Sequence, residues 1–203
     1  MKKFFVIVSL AVVPLFPSGG YDHGTATGKG LLELDFTWNP FNYFDQGQSY
    51  LVLGYGLTDR FDLHGYYSIH TEGFHTYYVG LFYQFLRSNR LDLATAVGLR
   101  TNRTTEATNL FFPQLLYTVK LTDGFSIGGS FVNISIDQES LNDRIPVAMD
   151  IFLHIPLQNF MSLPDNISDI KLALGLFNPV TNTSIDKGQF IPTYSLDFKF
   201  RWP

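Results

Sequence analysis

The chain has 203 residues, enough for one domain, with 45% hydrophobic residues, 16% charged residues and a net charge of −4. The charged share lies below the roughly 25% usual in soluble domains, and no basic tract offers a surface to nucleic acid. Cysteine is absent, which excludes disulfides, thiol catalysis, cysteine metal sites and lipoprotein acylation.

The chain starts with the basic Met1-Lys2-Lys3, runs uncharged and apolar from Phe4 to Phe16, and continues as Pro17-Ser18-Gly19-Gly20. This is the layout of a secretory signal, with cleavage expected after Gly20. The apolar run falls short of the roughly 20 residues a spanning helix needs, and Pro14 lies inside it. Residues 1–20 therefore read as a cleaved signal peptide.

From residue 21 onward the hydrophobic pattern has period two, the signature of strands. The alternating segments are Leu31–Trp38, Tyr50–Leu57, Phe61–His70, Thr76–Phe85 and Leu91–Arg100, then Leu110–Leu121, Phe125–Ile134, Ile145–Ile155, Asp169–Phe177 and Phe190–Trp202. Helical periodicity is absent. The motif Leu-Thr-Asp-x-Phe occurs twice, as Leu57-Thr58-Asp59-Arg60-Phe61 and Leu121-Thr122-Asp123-Gly124-Phe125. Each copy lies between two alternating runs and reads as a tight hairpin turn, with Asp supplying the turn chemistry. Arg87-Ser88-Asn89 is a third such turn. Longer polar loops follow the odd strands, at Asn39–Gln48, Thr101–Asn109, Asp137–Asp143 and Asn178–Gln189, and a shorter one at Thr71–His75. Gln158–Ser168 is long for its side.

Short turns at one end and long loops at the other are how outer-membrane barrels are built. The apolar face decides the matter. It carries Leu32, Leu34, Phe36 and Trp38 on the first segment and Tyr194, Leu196, Phe198, Phe200 and Trp202 on the last, and no charge along its whole length. A lipid-facing Arg or Lys at mid-bilayer costs roughly 2–4 kcal/mol, so a surface turned to lipid is purged of charge. The opposite face carries Gly54, Gly56, Gly80, Ala94, Ala96, Gly98, Gly128 and Gly175 among its charges, which suits a crowded interior. The expected fold is all-β: an antiparallel up-and-down transmembrane β-barrel spanning 21–203, of about ten strands, with eight to twelve possible.

At this point the chain resembles a bacterial outer-membrane β-barrel protein. Tyr194-x-Leu196-x-Phe198-x-Phe200-x-Trp202 is similar to the terminal strand through which the barrel-assembly machinery recognises its clients, although Pro203 follows the aromatic here. Gly56-Leu-Thr-Asp-Arg-Phe-Asp-Leu63 resembles a turn in small outer-membrane proteins labelled transporters of the phenol meta-pathway type. The resemblance implies a Gram-negative outer membrane, both termini in the periplasm, lipid and lipopolysaccharide around the barrel, and help from the assembly machinery.

The inward face holds the candidate chemistry. Glu33, Asp62, Asp92, Lys120, Asp169, Lys171, Lys199 and Arg201 all fall toward the periplasmic end and are expected to pair as a charge ring, because unpaired buried charges are costly. Toward the outer end, Tyr66, Ser68, His70, Tyr78 and Arg100 outline a shallow pocket, or Tyr rings fill the space left by Gly80 and Gly98. A hairpin register of Ser68 opposite Tyr78 and Tyr66 opposite Gly80 is expected. Ser68 and His70 share a face near Glu72, but in the order opposite to the His-x-Ser of lipid A deacylases. No cofactor is expected, and His64, His70 and His75 do not share a phase that would hold a metal. The readings carried forward are a narrow channel or transporter for small solutes, then a non-conducting barrel acting through its loops, and third a lipid-modifying enzyme.

Overall fold

The computed structural model describes residues 21–38, 48–70, 75–102, 107–133, 147–178 and 190–201. The expected signal segment, Glu72 and Trp202 lie outside the described residues, as does most of each long loop.

The described strands are β1 (Leu31–Trp38), β2 (Gln48–Gly56), β3 (Phe61–His70), β4 (His75–Arg87), β5 (Leu91–Asn102), β6 (Ala107–Lys120), β7 (Ser126–Asn133), β8 (Val147–Pro156), β9 (Ile167–Asn178) and β10 (Ile191–Arg201). Each pairs antiparallel with its chain neighbours, and β1 pairs with β10 from Leu31↔Arg201 to Trp38↔Tyr194. The ring is closed. Closure removes the two sheet edges that would otherwise expose unpaired backbone.

The wall is inside-out relative to a soluble protein. Val79, Leu81 and Leu99 point outward, Val79 with 56% of its surface exposed, whereas Asp62, Asp92 and Gln84 point inward and are fully buried. Among the described residues, the outward strand positions carry no Asp, Glu, Lys or Arg. An apolar belt round the full circumference far exceeds the few hundred Å² that soluble monomers expose as a patch.

One departure from regular pairing has a clear local cause. The ladder between β5 and β6 shifts between Ala96 and Gly98, opposite Pro113, which has no N–H to give a neighbour. The two Leu-Thr-Asp-x-Phe turns close by the same backbone bonds, Leu57 N to Phe61 O at 2.8 Å and Leu121 N to Phe125 O at 2.9 Å. Inside, they differ. Thr58 Oγ1 accepts the N–H groups of Arg60 and Phe61, while Asp123 and Gly124 take positive φ, 55° and 82°. The long connection between β8 and β9 holds a single 3-10 turn, Leu157–Asn159.

The expected β3–β4 register needs correction by two residues. Ser68 stands opposite Thr76, and Tyr66 opposite Tyr78. Pairing begins at His75, so the connection is tighter than expected. A shift of two preserves which face each side chain takes, and all of these residues still point inward.

Candidate functional site

The interior is occupied by the chain's own residues 21–27, which precede β1. Gly28 and Gly30 make the reversal that lets this segment enter, with φ of +97° and +74°, a region open to glycine. Gly30 N donates to Gly56 O at 2.8 Å, and Leu31 N to Gly28 O at 3.1 Å. The chain then rises as β1, so residues 21–27 form a stopper inserted at the tight-turn end.

The stopper runs round the inner wall, taking successive strands in turn. Thr27 N donates to Asp62 Oδ2 on β3 at 2.8 Å. Ala26 N donates to Gln84 Oε1 on β4 at 3.1 Å. Thr25 Oγ1 donates to Asp92 Oδ2 on β5 at 2.8 Å, and Gly24 N to Thr118 Oγ1 on β6 at 2.9 Å. Asp22 Oδ1 lies 3.0 Å from His154 Nε2 on β8. Tyr21 ends the path, its hydroxyl bonded to Thr27 Oγ1 at 2.9 Å and its ring stacked on His23 and His64 and edge-on to Phe82.

The inward glycines make this possible. A Cβ on Gly54 would overlap the Tyr21 hydroxyl, one on Gly56 the Gly28 carbonyl, and one on Gly128 the Asp22 carbonyl. These positions read from sequence as a crowded interior; what crowds them is the stopper.

The charged residues expected at this end are distributed as follows. Glu33 is the hub: Lys199 Nζ reaches Oε1 at 3.3 Å, His23 Nε2 reaches the same oxygen at 3.0 Å, and Thr27 Oγ1 donates to Oε2 at 2.7 Å. Lys120 pairs with Asp92 at 2.8 Å and Lys171 with Asp169 at 3.1 Å. Asp62 holds the stopper backbone. Arg201 is exposed at the rim. Burying Glu33 unpaired would be expensive, and its three partners offset the desolvation.

At the other end, Tyr78 lies across the wall. An added Cβ on Gly80 or Gly98 would collide with its ring or hydroxyl. Tyr66 stacks on it, centroids 5.2 Å apart, and the Tyr78 hydroxyl meets His64 Nε2 at 3.1 Å and accepts from Gln114 Nε2 at 3.3 Å. Arg100 is buried and opposite Tyr78 on β5. Ser68 Oγ hydrogen-bonds to Thr76 Oγ1. The side chain of His70 lies outside the described residues. His75 points outward and bonds Tyr67, away from His64. On β8, Asp150 accepts both the N–H and the hydroxyl of Ser130.

Sequence reading passed over Tyr21–Thr27, Asp35, His154 and Asp197. The available clue was a polar, aperiodic stretch between the expected signal segment and the first strand, set against inward glycines on β2 and β7.

No family model matches the chain, and no curated protein matches it. Solved structures do match. A KdgM porin is 9% identical, with 85% of this chain and 99% of that chain covered and a TM-score of 0.49. The N-terminal β-barrel domain of Pseudomonas aeruginosa OprF is 16% identical, with 85% and 99% covered and a TM-score of 0.33. The de novo designed TMB2.3 is 10% identical, with 87% and 97% covered and a TM-score of 0.38. The likeness is one of chain path alone.

Proposed function

We propose that the chain is a Gram-negative outer-membrane barrel that passes small solutes through a narrow polar interior, with residues 21–27 as its removable stopper. The observation that supports this most is how the stopper is held. Apart from the packing of Tyr21 and the charged contacts of His23 with Glu33 and of Asp22 with His154, its attachments are single hydrogen bonds to wall side chains on β1, β3, β4, β5 and β6. Water can replace each of these, and the net worth of one such bond is about 0.5–1.5 kcal/mol. A segment bound this way can leave without dismantling the wall.

The apolar belt supports insertion in lipid, with lipid and lipopolysaccharide as its surroundings and the barrel-assembly machinery as its route there. Both ends of the barrel, the start of β1 and the end of β10, sit at the tight-turn end, which supports a periplasmic location for them. The filled interior favours a second reading, a non-conducting barrel that acts through its loops.

Planar-bilayer recording separates the two. The intact barrel is expected to stay mostly closed, and a chain lacking residues 21–27 to conduct steadily, with steps altered by Lys199→Ala and Arg201→Ala. A folded, heat-modifiable deletion barrel that stays silent overturns the channel reading.

A further inference from the structure

Where the stopper meets the junction of β1 and β10, the interior holds an unbalanced cluster of donors. Asp35 and Asp197 stand directly opposite each other across that junction, an arrangement of like charges that disfavours pairing. Ser195 Oγ touches Oδ1 of both, and one hydroxyl has one proton to give. Thr37 Oγ1 also donates to Asp35, at 2.9 Å. Asp197 Oδ2 has no hydrogen-bond partner among the described residues, although Asp197 is only 4% exposed.

His154 on β8 and Asp22 on the stopper complete the cluster, both buried. Their Nε2 and Oδ1 approach to 3.0 Å, yet neither Asp22 oxygen nor either His154 nitrogen makes an aligned hydrogen bond among the described residues. The 3.0 Å approach is also that of a His–Asp ion pair, and it leaves Asp197 Oδ2 as a buried donor atom that neither group satisfies. One donor atom each from Asp22, His154 and Asp197 lies within 4.8 Å of the others. Buried polar atoms left unsatisfied cost about 1–3 kcal/mol each, so the cluster asks for a ligand that accepts lone pairs.

We infer that Asp22, His154 and Asp197 form a site for a divalent transition metal of the zinc class, which pins the stopper to β8 and β10. One imidazole nitrogen and two carboxylates are a donor set suited to zinc. Magnesium and calcium prefer oxygen alone. Three protein ligands leave a fourth position for water. Lys171 stands opposite Asp197 on β9, but its ammonium is engaged by Asp169 at 3.1 Å, and the ion supplies the remaining positive charge beside Asp22, Asp35 and Asp197. This inference needs the stopper in place but not conduction, so it survives if the barrel is non-conducting.

The test uses the detergent-extracted barrel, stripped with chelator and titrated with zinc ion by calorimetry, then with cobalt ion by visible absorption. One saturable equivalent is expected, with a cobalt spectrum of nitrogen and oxygen ligation. His154→Gln, Asp197→Asn and Asp22→Asn should each weaken binding about tenfold or more. His75→Gln, on the outer wall, should leave it unchanged. Asp22→Asn alters no strand, so it reports on the site even where a wall variant loses the heat-modifiable folded form. The inference is overturned if the wild-type barrel shows no saturable site, or if binding persists undiminished in Asp22→Asn.

Discussion

Gly56 and Gly28 meet so closely that a Cβ on Gly56 would lie 1.8 Å from the Gly28 carbonyl oxygen. Gly28 has little room to yield, because its φ of +97° suits glycine alone. Gly56→Ala is therefore expected to unseat the stopper at its hinge, at an overpacking cost of about 1–3 kcal/mol. In bilayers the variant should open more often than the parent while migrating as a folded barrel. Identical gating would show that the reversal at residues 28–30 does not hold the stopper.

Glu33→Gln removes the charge on which Lys199 and His23 converge. Removing one member of a buried ion pair costs about 3–5 kcal/mol, so urea unfolding in vesicles should shift to lower midpoint. Lys199→Gln should cost less on the Glu33→Gln background than alone, because neighbours in one network are not additive. Additive effects would mean the two residues act independently.

The outer wall should show a gradient of tolerance to charge. Leu81 is outward in the middle of β4, whereas Leu121 sits beside a tight turn. Leu81→Arg is expected to cost roughly 2–4 kcal/mol and Leu121→Arg about 0–1 kcal/mol, following depth in the bilayer. Equal costs, measured by equilibrium unfolding in vesicles, would argue that the apolar belt does not face lipid.

Tyr78 is expected to be the main constriction beyond the stopper, since its ring covers Gly80 and Gly98. Tyr78→Ala should cost about 3–5 kcal/mol, as other large-to-small aromatic truncations do. In the barrel lacking residues 21–27 it should also widen the conducting path and raise the single-channel current. An unchanged current would place the constriction elsewhere.

The unstoppered interior is expected to prefer cations. Glu33, Asp35, Asp62, Asp92, Asp150, Asp169 and Asp197 face it, against Arg100, Lys120, Lys171 and Lys199. Rings of acidic side chains select cations in pores. A reversal potential in a salt gradient should show this, and Lys199→Ala should enlarge it. Anion preference would reverse the reading of the interior.

The wall was legible because its physics is local. A strand with an apolar surround on one face and a polar interior on the other must alternate, and the alternation from Leu51 to Leu57 or from Phe61 to Ile69 shows in a few residues at a time. Side-chain direction therefore came out correctly even where the β3–β4 register was two residues off. The stopper was not legible, because nothing in Tyr21–Thr27 repeats. Its partners, Asp62, Gln84, Asp92, Thr118 and His154, are scattered over most of the chain and become neighbours only after the ring closes. His154, Asp35 and Asp197 fell in the inward phase, where polar residues are unremarkable. Only their mutual geometry separates them from the other inward polar groups.

The pairing of β1 with β10 differs from every other pairing in the ring. Neighbouring hairpins zip from their turns, but Leu31 can meet Arg201 only after the intervening chain has been brought round, and the entropy of closing a loop grows with its length. Such pairings of high sequence separation are the slow ones in folding. Two adjacent inward rungs on this junction have opposite signs: Glu33 attracts Lys199, and Asp35 repels Asp197. The rate of ring closure should therefore respond to ionic strength through two contributions that oppose each other, and removing either rung should uncover the salt dependence of the one that remains.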